Sequence, residues 1–208
     1  KWGTFGSVGA SWILSNEDFL SDSLISYLKL KATYGVTGDQ QGAGTASGFD
    51  VFNTNFVGGL AIDLRTPGNP DLTWETTRMF QTGVELSLGN FLDFNVDYYQ
   101  KNIDNLFFNQ RVGPSTGISS ILVNDGDTQY NGIEFDVTAH LINKERFKLD
   151  LSINGENVRN KMISNPLDPS TGLPKILDTN SSGDGAFAYA EGRGIFDYYM
   201  QEWAGVDS

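Results

Sequence analysis

The residues able to do chemistry in this chain are mostly acidic, and few have the partners a catalyst needs. His140 is the only histidine among 208 residues, and there is no cysteine. Acid–base or nucleophilic catalysis requires a nucleophile, a base and a group that orients the base. A lone imidazole meets none of these conditions, so no catalytic residue, metal centre or cofactor is expected. Asp178, Asn180 and Asp184 alternate oxygen ligands as a calcium loop does. Their spacing departs from the twelve-residue pattern and no Glu closes it, so a plain loop is the expectation. Gly35, Gly38, Gly42 and Gly44 lack the Lys-Ser/Thr pair of a phosphate loop. What remains is a set of polar groups that would face water or a solute: Arg78, Gln81 and Glu85, assigned to one face of a strand, with Asp97, Glu134 and Asp136.

A period-two alternation of apolar and polar residues must position these groups. Leu28, Leu30, Ala32, Tyr34 and Val36 alternate with Lys29, Lys31, Thr33 and Gly35. Leu92, Phe94, Val96 and Tyr98 alternate with Asp93, Asn95 and Asp97. Ile133, Phe135, Val137, Ala139 and Leu141 alternate with Glu134, Asp136, Thr138 and His140, and Phe147, Leu149, Leu151 and Ile153 with Lys148, Asp150 and Ser152. Successive strand side chains point to opposite faces, so each run is a strand with one apolar and one polar side.

Seven strands are expected, at about 4–14, 27–37, 74–88, 91–107, 129–142, 146–160 and 195–206. The connectors 15–26, 89–90 and 143–145 are short or modest; 38–73, 108–128 and 161–194 are long. Consecutive turns of a meander fall on alternate rims, which places every long loop on one rim. Transmembrane barrels have this layout, whereas sandwiches mix loop lengths at both ends. Aromatics gather near both strand ends: Trp12, Tyr27, Phe91 and Phe147 at the short-turn rim, and Tyr34, Trp74, Phe80, Phe107, Tyr130 and Tyr198 at the other. Amphipathic rings favour the two bilayer interfaces.

Composition is compatible with this arrangement. Apolar residues make up 39% of the chain and aromatics 12%, too many for a disordered tail. No run approaches the ~18 apolar residues of a membrane-spanning helix, but a transmembrane strand needs only about 9–11. The net charge of -12 argues against a nucleic-acid partner. The start at Lys1 and the stop just after a strand-like run suggest an internal piece of a longer protein.

Several blocks carry a family resemblance. Trp2-Gly-Thr-Phe-Gly-Ser-Val-Gly-Ala-Ser-Trp12 is followed by Leu28-Lys-Leu-Lys-Ala-Thr-Tyr-Gly-Val-Thr-Gly38, Asn69-Pro-Asp-Leu-Thr-Trp-Glu-Thr76, Asp97-Tyr-Tyr-Gln-Lys101, Asn131-Gly-Ile-Glu134 and Ala204-Gly-Val-Asp207. In this order they resemble the C-terminal barrel of SusC/RagA-type TonB-dependent outer-membrane transporters. The resemblance implies an all-β fold, an antiparallel up-and-down meander forming an arc of a plugged barrel of about 22 strands. It implies a Gram-negative outer membrane, a SusD-like surface lipoprotein that lids the mouth, TonB acting through an N-terminal plug that this chain does not contain, and an oligosaccharide or peptide substrate. Residues 1–208 would then be a partial barrel without its plug or closing strands. Leu28, Leu30, Tyr34, Phe94, Val96, Tyr98, Ile133, Phe135, Val137, Leu149 and Leu151 would face lipid. Arg78, Gln81, Glu85, Asp97, Glu134 and Asp136 would face the lumen.

Two other readings compete. A soluble carbohydrate-binding or adhesion β-sandwich would bury the same apolar stripes between two sheets. A barrel enzyme would need a nucleophile beside His140.

Overall fold

β-Branched and aromatic residues alternate with polar ones along each predicted strand, and a pleated ladder accommodates that pattern without strain. In the computed structural model, which describes all residues except 1, 45–46, 57–59, 114, 116, 119, 169–170, 179–186, 201–202 and 206–208, six such segments form one antiparallel sheet. They are β1 (Gly6–Ile13), β2 (Ile25–Asp39), β5 (Glu75–Leu88), β6 (Leu92–Asp104), β9 (Asp127–Lys144) and β10 (Phe147–Ser164), paired in the order β1-β2-β5-β6-β9-β10. Three hairpins lie outside the sheet: β3 (Val51–Phe56) with β4 (Leu60–Thr66), β7 (Phe107–Arg111) with β8 (Ser120–Asn124), and β11 (Leu177–Asp178) with β12 (Ala188–Tyr189). The sheet is open, and each strand pairs with the next main strand along the chain. No described helix is long and apolar enough to cross a membrane, which says nothing of strands.

The connectors keep the expected asymmetry. Turns at 89–91 and 145–146 and the segment 14–24, with two short 3-10 turns, lie on one rim. The long connections 40–74 and 105–126 and the chain beyond Ser164 lie on the other. Two expectations are corrected. The long connections are not structureless, because each contains a hairpin. The expected seventh strand at 195–206 does not form among the described residues. Asp197 closes a turn with Gly194 instead, and Gly192 and Arg193 take the backbone edge of β10 at Met162. Tyr198 forms only an isolated antiparallel bridge with Phe187, and Ile195 N donates to Asn160 Oδ1, so Ile195–Met200 joins no ladder.

Among the described residues no second layer covers the six-stranded sheet. Apart from Pro166 and three glycines, Met162 and Ala188 are the only buried apolar residues among those described. Val8, Ile133 and Ile153 on the apolar face are 71%, 50% and 58% exposed. A sandwich would cover these side chains, so that expectation fails.

Glycines let large side chains lie flat across the sheet. Gly132 faces Tyr99 in the adjacent strand, and a Cβ there would collide with Tyr99 Cζ. Gly6 has open space around it. Gly132→Val in the full-length protein should therefore cost about 1–3 kcal/mol through overpacking, whereas Gly6→Ala should stay within about 0.5 kcal/mol. The denaturant midpoint of the refolded protein checks this, and equal shifts would contradict it.

Candidate functional site

The polar face is built from cross-strand rungs. One reads Ser11, Lys31, Gly83, Asp97, Glu134, Glu156; the next reads Ile13, Lys29, Glu85, Asn95, Asp136, Asn154. Lys31 Nζ lies 3.0 Å from Asp97 Oδ2 and 3.2 Å from Glu85 Oε1, and Lys29 Nζ lies 3.3 Å from Glu85 Oε2. Gln81 Nε2 and Asn95 Nδ2 donate to the two oxygens of Asp97. Asp97 is only 5% exposed, and the network supplies what a buried carboxylate requires. Gly83 separates Lys31 from Asp97 in the rung, and its missing side chain lets them meet; a Cβ would occupy the place of Asp97 Oδ1. Towards β10 the balance ends. Glu134, Asp136 and Glu156 have no basic partner among the described residues, so the wall is neutralised on one side and acidic on the other. The Tyr99 hydroxyl, across Gly132, donates to Glu156.

Near the short-turn rim the same face opens into a cleft of about 400 Å³ lined by Tyr27, Ser87, Asp93, His140, Lys148 and Asp150. His140 is bracketed by two carboxylates, with Nδ1 2.7 Å from Asp150 Oδ1 and Nε2 3.0 Å from Asp93 Oδ2. Both ring nitrogens are occupied, and neither is left to activate a hydroxyl. The nearby Ser26 Oγ bonds to the carbonyls of Ser87 and Gly89. This is a structural triad, not a nucleophile–base pair. Asn180 and Asp184 of the calcium-like stretch lie outside the described residues.

The opposite face carries every residue expected to face lipid. Its rungs include Trp12, Leu30, Val84, Val96, Phe135, Gly155 and Leu28, Leu86, Phe94, Val137, Ile153. One assignment is corrected. Arg78 shares this face with Phe80 and Tyr34, not the polar face with Gln81 and Glu85. No bulge interrupts β5, and three residues separate Arg78 from Gln81, so the two must point to opposite sides. Arg78 lies beyond the apolar band, where Nη1 meets Asp104 Oδ2 at 2.7 Å. Tyr27 and Tyr130 are likewise on the polar face, the first lining the cleft and the second beneath Lys101 Nζ. On β9 the apolar band runs from Ile133 to Leu141. That is ~27 Å along the strand, which a tilt of about 40° projects to ~21 Å, near the ~25 Å apolar band of outer-membrane barrels.

The long-loop rim is tied down by the block Asn69–Glu75. Asn69 Nδ2 donates to the Leu122 carbonyl at 2.8 Å, Asn124 Oδ1 accepts from Thr73 N at 2.7 Å, and Glu75 Oε1 accepts from Phe107 N at 2.7 Å. These side chains join the 40–74 connection to the β7–β8 hairpin. The sequence marks Asn69 and Glu75 only as part of a family-like block opening on an Asn-Pro turn signal, and does not mark Asn124.

A family model described as "TonB dependent receptor-like, beta-barrel" matches residues 1–195. The chain belongs to the TonB-dependent receptor β-barrel family. Family members are outer-membrane proteins of Gram-negative bacteria, and they are transporters, not enzymes. Among relatives, the TonB-dependent receptor P39 of Formosa agariphila is 30% identical over 99% of this chain and 19% of its own length. The TonB-dependent receptor SusC of Bacteroides thetaiotaomicron is 29% identical over 74% of this chain and 16% of its own. The RagAB peptide importer in its closed-closed state superposes with a TM-score of 0.81, 24% identity, and coverage of 98% of this chain and 22% of that chain, a likeness of fold. The receptor barrel segment thus spans about a fifth of the length of the proteins it matches.

In the receptor barrel the Lys31–Asp97 pair should separate cleanly from the unpaired acids. Lys31→Met strands the buried Asp97 and should cost about 1–3 kcal/mol. Glu134→Gln should change stability by less than about 0.5 kcal/mol. Unfolding of the full-length variants in bilayers measures both, and equal effects would refute the asymmetry of the wall.

Proposed function

We propose that this chain is one arc of the wall of an outer-membrane active transporter that imports oligosaccharides or peptides, energised through TonB and working with a SusD-like surface lipoprotein. The apolar face, Leu28, Leu30, Tyr34, Phe94, Val96, Tyr98, Ile133, Phe135, Val137, Leu149 and Leu151, meets lipid. The face bearing Gln81, Glu85, Asp97, Glu134 and Asp136 lines the lumen. The long loops, about 38–73, 108–128 and 161–194, are extracellular. The plug that TonB pulls on and the strands that close the barrel belong to the rest of the protein.

One observation carries this reading: a strongly apolar sheet face stands bare over a band of membrane thickness while charges crowd the other side. In water that exposure would favour aggregation; in hydrocarbon it is the solvated state. The likeness to the RagAB peptide importer supports a peptide cargo, and the SusC/RagA resemblance of the sequence blocks leaves an oligosaccharide cargo beside it. Spin labels at Leu30, Val96 and Phe135 of the full-length protein in bilayers should be relaxed by oxygen and shielded from a water-soluble nickel chelate. Water accessibility at these positions would overturn the assignment.

A further inference from the structure

The apolar face changes character abruptly on the long-loop side. One rung reads Phe80, Gln100, Asn131, Arg159, and the next Arg78, Asn102, Gln129, Lys161. Across β6, β9 and β10, hydrocarbon-compatible side chains give way within two rungs to amides and cations. The amides are linked, with Gln129 Nε2 donating to Asn102 Oδ1 at 2.9 Å and Asn131 Nδ2 lying 3.4 Å from Gln129 Oε1.

The charges here are unevenly matched. Arg78 is paired with Asp104. Asp127 accepts from Asn105 N and Ser164 Oγ, and Glu191, bridged to Met162, accepts from Asn165 N. Arg159 and Lys161 are exposed and have no carboxylate partner among the described residues. Another run of cations without a carboxylate partner among the described residues, Lys144, Arg146 and Lys148, lies at the short-turn rim; Arg159 and Lys161 are the pair at the long-loop end of the apolar face. They lie two residues apart on one face, about 7 Å along the strand, so both side chains can reach a single anion. They sit where a lipid keeps its headgroup, at the end of the apolar band, and their stems can lie along it while the charges stay in the polar layer. Phosphate oxygens accept only, which suits a guanidinium, an ammonium and flanking amide N–H groups.

We propose that Arg159 and Lys161, flanked by Gln129 and Asn131, bind the phosphate of an outer-leaflet glycolipid on the outside of the barrel. This rests on the reading that the apolar face meets lipid and the long loops lie outside. The site ties the wall to its leaflet through ionic contacts at one depth.

Native mass spectrometry of the full-length protein with added diphosphoryl lipid A tests the proposal. Dephosphorylated lipid A and inorganic phosphate serve as parallel probes, and a spin label at Val96 reports on the wall. Wild type should retain diphosphoryl lipid A, and R159Q/K161Q should retain it about tenfold less or weaker still. Two results would overturn the proposal while Val96 still reports lipid: equal retention by the variant, as when carboxylates of a neighbouring strand neutralise the pair, or equal retention of the dephosphorylated lipid. Displacement by millimolar inorganic phosphate would make the site a free-phosphate site and also overturn it. A water-exposed Val96 would instead refute the barrel reading on which the proposal stands.

Discussion

The constraint on which everything else depends is an unbroken antiparallel register. With a side-chain period of two, a slip of one residue would turn every apolar side chain of a strand to the opposite face. From β2 through β9 the ladder holds the Leu28–Val36, Val84–Leu86, Leu92–Tyr98 and Ile133–Ala139 stripes on one side without interruption. Register shifts occur only at Ile25/Tyr27, Leu149/Asp150 and Met162/Ser164 in this sheet, all towards strand ends. A bulge at mid-strand would invert the remainder of that strand, carrying charge into the apolar layer. Confining irregularity to the rims preserves the two-faced wall.

The polar face depends on that register in a second way. Asp97 and Tyr99 of β6 each lean across a glycine in a neighbouring strand, Gly83 on one side and Gly132 on the other. The first contact places Asp97 within reach of Lys31, and the second carries the Tyr99 hydroxyl to Glu156, two strands away. The family-like blocks Asp97-Tyr-Tyr-Gln-Lys101 and Asn131-Gly-Ile-Glu134 are therefore halves of one packing device. The block beginning at Asn69 is a clamp between connections. These motifs build a wall, and none of them is a catalytic group.

Much of this wall is legible in the amino-acid sequence. The six strands that form the sheet are readable because alternation is imposed by the pleat itself, and the long-loop rim follows from connector lengths alone. The hairpins within the long connections are harder to read, because Val51–Phe56 and Leu60–Thr66 are short and embedded in Gly- and Asn-rich sequence. Gly58-Gly59 between them is an available turn signal. The run 195–206 reads as a strand because composition cannot show that Gly194–Asp197 closes a turn and that Tyr198 bridges Phe187. Arg78 is misplaced when its chemistry is weighed above its parity. The Lys31–Asp97 contact is illegible for a different reason: it bridges three strands, and its enabling residue is a glycine whose contribution is absence.

The central claim is that the two faces meet different solvents, hydrocarbon on one side and water on the other. The most direct measurement compares Val96→Arg with Asn154→Arg in the full-length protein, by equilibrium folding into bilayers. Val96→Arg should cost about 2–4 kcal/mol, the penalty for a cation at mid-bilayer on a barrel exterior. Asn154→Arg, on the polar face opposite Asp136, should cost less than about 1 kcal/mol. Equal costs, or a larger cost at Asn154, would contradict the account.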